Sequence, residues 1–256
     1  MTGEGILFMN TQDNQQFIRF EMMYGKSALC RLKNAKVALF GLGGVGGHVL
    51  EVLARSGIGT LYLYDNDTIS VSNLNRQILS TYETLGSSKT KAARERVSSI
   101  NKEAIVYTFD MFVLPENIKD IDFSRFDYVI DAIDTVSGKL AIIEASTAAN
   151  VPVISCMGTG NKIHPEMLKI ADIYDTSVCP LARVMRKELK MRGVAACNVL
   201  YSEEVPIKPL FNPDSISPKP IPASNAYVPA AAGILIGSKV VNDLIAGPAH
   251  KKTRFY

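Results

Sequence analysis

Short apolar and β-branched runs alternate along the chain with longer stretches whose apolar residues recur at helical spacing. Lys36 to Phe40 reads as a buried strand, and a helix after Gly41–Gly47 runs to about Arg55, with Gly57 as its stop. The next strand, Thr60 to Tyr64, ends on Asp65, and a helix follows from about Lys89 to Ile100. Further strands are expected at Ala104–Thr108, Tyr128–Ala132 and Val151–Cys156, with a helix at about Lys139–Asn150 between the last two. Leu181–Arg192 is amphipathic at helical spacing, and a last helix covers about Ala230–Ile245. Such alternation is the mark of strand–helix–strand crossovers. The expected class is α/β: a Rossmann-like, doubly wound, mainly parallel sheet with C-terminal helical and loop additions. Pro206, Pro209, Pro213, Pro218, Pro220 and Pro222 crowd one segment, which predicts an exposed, mobile loop over about 206–225. No internal repeat or linker interrupts the pattern, so residues 1–256 are expected to form one domain.

Composition narrows the function classes. With 256 residues, 47% hydrophobic and 21% charged, the chain has a globular balance. A net charge of +3 is too mild for a nucleic-acid coat, yet it allows local basic faces. Met1–Gln16 lacks the apolar core of a signal peptide. The apolar stretch Ala226–Ser238, interrupted by Pro229, is shorter than the roughly 20 residues needed to cross a bilayer. A cytoplasmic protein without a membrane span is expected. Cys30, Cys156, Cys179 and Cys197 form no Cys-x-x-Cys pair, so a zinc clip is absent and reduced packing thiols are expected. His48, His164 and His250 are too scattered for a metal centre.

The strongest chemical signal is strand, glycine loop, helix. Gly41, Gly43, Gly44 and Gly46 let backbone N–H groups approach a phosphate, and the helix N-terminus adds partial positive charge. Asp65, about 20 residues on, can accept hydrogen bonds from both ribose hydroxyls. The loop alone does not choose the nucleotide. Arg76 and Lys89, just past Asp65 and Asp67, supply fixed cations suited to departing phosphates, which favours a triphosphate over a dinucleotide. Asp131 and Asp134 lie where open α/β sheets keep their ligands, and one of them can hold magnesium through oxygen.

The glycine loop, Asp65, the run Ser72-Asn73-Leu74-Asn75-Arg76-Gln77, Lys89 and the Asp131-Ala132-Ile133-Asp134 turn resemble the ThiF/MoeB and ubiquitin-activating-enzyme superfamily. That resemblance implies that Arg76 and Lys89 contact ATP phosphates, Asn73 positions them and Asp134 ligates magnesium. Arg19 matches an arginine that relatives lend to the partner subunit's ATP site, which implies a homodimer. The second half resembles the tRNA threonylcarbamoyladenosine dehydratase family, through Gly158-Thr159-Gly160-Asn161-Lys162, Ile170-Ala171-Asp172-Ile173 and the segment Cys179–Arg186. His164 and Cys179 stand where many relatives carry aspartate. The resemblance leaves open a monovalent cation and a docked sulfur-transfer protein.

Arg183, Arg186, Lys187 and Lys190 fall on one helical face, with Leu181, Val184, Met185 and Leu189 expected on the buried side. Such a face can lie along tRNA phosphates, and it can equally be a solvated exterior. Lys251, Lys252 and Arg254 suggest a second contact in the tail. The implied reaction is ATP-dependent cyclisation of threonylcarbamoyladenosine in tRNA through an acyl-adenylate. Three alternatives stand beside it: adenylation of a ubiquitin-like or sulfur-carrier protein, an NAD-dependent oxidoreductase, and a non-catalytic nucleotide sensor.

Overall fold

Seven strands form one sheet in the order β3-β2-β1-β4-β5-β7-β6 in the computed structural model, which describes residues 15–213 and 221–247. In chain order the elements are α1 (Ile18–Tyr24), α2 (Lys26–Asn34), β1 (Lys36–Phe40), α3 (Gly46–Arg55), β2 (Thr60–Asp65), α4 (Lys89–Ile100) and β3 (Ile105–Asp110). There follow α5 (Pro115–Ile118), β4 (Tyr128–Asp131), α6 (Val136–Ala148), β5 (Val153–Cys156), β6 (Leu168–Asp172), α7 (Pro180–Met191), β7 (Asn198–Ser202) and α8 (Tyr227–Ala246). Among the described residues, only the pairing of β6 with β7 in this sheet is antiparallel; its other neighbouring strands are parallel.

The central strands are buried on both faces, which is why β1, β4 and β5 read as continuous apolar runs. Their alternate residues feed two cores. Val37, Leu39, Leu61 and Leu63 pack with α3 and α8, while Ala38, Phe40, Tyr62 and Tyr64 belong to the core that includes α6 and α7. Strand order reverses at β1, which has β2 on one side and β4 on the other. A crevice for ligands opens at the carboxyl ends of the strands at such a point.

α8 departs from expectation. It is a continuous helix of 20 residues, long and apolar enough by composition to cross a membrane, although 44% of its most apolar 18-residue stretch is buried against the rest of the protein. Pro229 does not interrupt it, because the third helical position has no intrahelical acceptor to lose. Gly233 and Gly237 bring α8 close to α3: a Cβ at Gly233 would fall 2.5 Å from the Val45 carbonyl oxygen. The Pro-rich segment is irregular in its described part, but its ends are tied down. Asn161 and Ala223 exchange two hydrogen bonds of 2.7 Å, and Ile207 N–H donates to the Asn161 carbonyl at 2.8 Å. Residues 214–220 of that loop lie outside the described residues.

Candidate nucleotide site and basic helix

The glycine loop fits too tightly for side chains. Gly41 has φ +91°, and a Cβ there would sit 2.7 Å from the Ala132 carbonyl oxygen; at Gly46 it would sit 1.8 Å from the Gly41 carbonyl oxygen. These contacts press the loop against the turn after β4 and let α3 start close to the sheet. Around Gly43 the space is open except for the Gln77 side-chain amide, 3.9 Å from a would-be Cβ. A phosphate can approach there. Gly44 packs on Pro229 and the Arg76 carbonyl, which brings the Arg76 segment to the loop.

Asp65 ends β2 and accepts from Leu42 N–H at 2.7 Å and from Asp67 N–H at 2.9 Å. Burial pushes its carboxyl above the usual range, and the nearby Lys89 charge and the two backbone donors oppose that rise. Lys89 is buried at the start of α4, with its ammonium 2.7 Å from the Asp67 carboxylate. Ser88 caps that helix, its hydroxyl accepting from Lys91 N–H at 3.3 Å. Arg76 Nη1 donates to the Ser72 carbonyl at 2.7 Å and to Asn75 Oδ1 at 2.9 Å. Asn73 closes its own turn by accepting from Ser70 N–H at 3.1 Å. The fold therefore joins Asp65, Asp67 and Lys89 directly and sets Arg76 beside Gly44. Arg19 lies exposed on α1, and its role in a partner's site rests on the resemblance.

The two aspartates of the β4–α6 turn separate. Asp131 is wholly buried and paired with Lys139, so it is not free to face a metal in solvent. Asp134 is exposed just ahead of α6. Lys139 escaped sequence reading; the available signal was a lone lysine ahead of the apolar run Leu140–Ile143. Gln77, named in the Ser72–Gln77 run without a role, and Ser80, not singled out, are both buried, and Gln77 Oε1 and Ser80 Oγ have no hydrogen-bond partner among the described residues. Among the described residues no group of three His, Cys, Asp or Glu could hold a metal ion.

α7 only partly matches its expected faces. Arg183, Lys187 and Lys190 are exposed. Arg186 is not part of that free face, because its guanidinium turns back to the Thr176 carbonyl and hydroxyl, the latter at 2.9 Å. Val184 is 45% exposed, and Ala182 takes its expected place beside Met185 and Leu189 in the core. Lys251, Lys252 and Arg254 lie outside the described residues. Burial pushes the Cys156 and Cys197 thiols up to about 12, which disfavours either as a thiolate nucleophile.

A model of the ThiF family matches residues 14–247. A Bacillus subtilis (strain 168) protein, tRNA threonylcarbamoyladenosine dehydratase, is 38% identical over 240 residues, which is 90% of this chain and 94% of its own. The chain belongs to the ThiF family, among its tRNA threonylcarbamoyladenosine dehydratases. The crystal structure of the Escherichia coli dehydratase TcdA in complex with ATP matches this ThiF-family chain with a TM-score of 0.84 at 30% identity. It covers 96% of this chain and 100% of its own. The AMP complex gives 0.85 at 29%, with the same coverage. The mostly parallel sheet with its helices thus matches the fold of that dehydratase.

Proposed function

We propose that this ThiF-family chain cyclises N6-threonylcarbamoyladenosine in tRNA at the expense of ATP. The observation that supports this reading most is the junction at the sheet's reversal point. There Lys89 pairs with Asp67 beside Asp65, and the turn that carries the exposed Asp134 abuts the glycine loop through Ala132, in a fold that matches an ATP-bound dehydratase.

A carboxylate is a poor electrophile, since its leaving group would be oxide. Attack of a carboxylate oxygen on the α-phosphorus of ATP breaks the bond to pyrophosphate and leaves an acyl-adenylate. The substrate's own ureido group then attacks the activated carbonyl and AMP departs with that oxygen, so water is lost overall. Ring closure is intramolecular and needs orientation more than an enzyme nucleophile. Asp65 holds the ribose, and Gly43 and the start of α3 receive phosphate. Arg76 and Lys89 release their local partners to neutralise the departing charge. Asp134, an exposed hard-oxygen donor, suits magnesium, which supplies further neutralisation of pyrophosphate when bound. Arg183, Lys187 and Lys190 track tRNA phosphates. Residues 1–256 act as one adenylation domain, two copies form a homodimer in which Arg19 completes the partner's site, and the enzyme works in the cytoplasm.

The test is to incubate the purified protein with ATP, magnesium and threonylcarbamoyladenosine-bearing tRNA, followed by gentle digestion and mass spectrometry of nucleosides. ATP-dependent loss of one water from the modified base, with AMP released, is expected. An unchanged nucleoside alongside AMP formation driven by a carrier protein would transfer the activity to that carboxylate.

A further inference from the structure

Beneath the turn that carries Asp134 lies an ion pair with no exposed surface at all. Lys139 Nζ donates to the two carboxylate oxygens of Asp131 at 3.2 and 3.1 Å and to the Cys156 carbonyl at 2.6 Å. Ser155 Oγ donates to Asp131 Oδ2 at 2.5 Å, and Ile133 N–H donates to Oδ1 at 3.2 Å. Every polar atom of the pair is thereby satisfied within the protein. Taking two charges out of water offsets most of their mutual attraction, so an apolar pair of like volume would join α6 to the sheet about as well. Packing alone does not account for the choice of residues.

The connectivity does. Asp131 is the last residue of β4, and Lys139 lies in the first turns of α6. Their contact closes residues 131–139 into a ring, with Asp134 exposed on it. Ser155 and Cys156 fasten that ring to the end of β5. On the far side, Ala132 N–H donates to the Phe40 carbonyl at 2.8 Å and the Ala132 carbonyl abuts Gly41. The turn is thus held from β1, β5 and α6 at once.

We infer that Lys139 is a positioning residue for adenylation. By neutralising Asp131 and tying it to β5, it keeps the turn at 132–135, and with it Asp134, at one fixed place relative to the glycine loop. This rests on the reading of Asp134 as a magnesium ligand.

The experiment compares Lys139→Met, the neutral pair Asp131→Asn/Lys139→Met, Ser155→Ala and Asp134→Ala with the wild type. For each, AMP formation is measured against ATP and against magnesium concentration, and folding is checked by circular dichroism and thermal melting. Lys139→Met is expected to lose about 10–100-fold in turnover and to need a correspondingly higher magnesium concentration for half-maximal rate. Its KM for ATP should stay near the wild-type value, because Asp65 and the glycine loop are untouched. Ser155→Ala should shift both quantities the same way and less. If Lys139→Met does not fold, the neutral pair carries the test: a folded double variant with reduced turnover and the same magnesium shift supports positioning. Wild-type turnover and magnesium dependence in either folded variant, while Asp134→Ala is impaired, overturns the inference alone. An unimpaired Asp134→Ala would remove the magnesium-ligand reading and the inference with it.

Discussion

In the proposed role of accepting two ribose hydroxyls, Asp65 has to be ionised; it is partly desolvated, and the Lys89 charge and two backbone donors favour its charged form. Because burial raises its pKa, it takes up a proton at a higher pH than a free aspartate does. ATP affinity of the wild type should therefore weaken on acidification before the ordinary aspartate range is reached. An Asp65→Asn variant should bind weakly, by about 10-fold or more, and with little pH dependence in that range. Titrating a fluorescent ATP analogue from neutral to mildly acidic pH decides it; a wild-type curve as flat as the variant's would refute the assignment. In the proposed mechanism Arg76 and Asp134 act later, on charge that develops as pyrophosphate leaves. Arg76→Ala and Asp134→Ala should each lower turnover by about 10²–10³-fold with the melting temperature nearly unchanged. Full activity in either folded variant would remove that residue from the mechanism. These residues stand out as candidates in the sequence because phosphate and ribose recognition need particular residue types at set distances from a glycine loop. Lys139 and the inward turn of Arg186 were not, since each depends on a tertiary neighbour, Asp131 or Thr176, that spacing does not reveal.

The elements sort by how much of their burial is local. β1, β2 and β4 were visible because each is buried on both faces and so shows an uninterrupted apolar run. β6 is only partly buried, and its pairing with β7 spans the whole of α7, so nothing local announced that pairing, although β7 itself carries the short buried run Val199–Tyr201. α8 was clipped at its start because Pro229 reads as a breaker until its place in the first turn is known. α7 carries the clearest test at this scale. A triple substitution Arg183→Gln, Lys187→Gln and Lys190→Gln should weaken tRNA binding and flatten its salt dependence, leaving ATP binding and melting temperature alone. Arg186→Gln should do the reverse, with unchanged salt slope and a lower melting temperature from the lost Thr176 contacts. Filter binding across a salt series, set beside thermal melts, separates the two. An unchanged slope in the triple variant would return the face to the solvated-exterior reading.

At the scale of the whole molecule, the site described within one chain has cations on the β2–α4 side, Arg76 and Lys89, while Arg19 stands out on α1 with Met22 and Met23 exposed beside it. An exposed helix bearing two unburied methionines is a surface suited to cover by another protein, and a two-fold dimer would carry each α1 to its partner. If Arg19 acts across that contact, Arg19→Ala and Arg76→Ala damage different parts of a shared site. Each homodimer would be inactive on both sites. When the two variants are mixed and allowed to exchange subunits, half the dimers are mixed, and in each of these one site regains both arginines. Activity should then recover to about a quarter of the wild-type value, against almost none for either variant alone. Recovery has to depend on subunit exchange, so it should grow with incubation and vanish when the variants are assayed in separate tubes. No recovery despite verified exchange would mean that Arg19 serves its own chain or none.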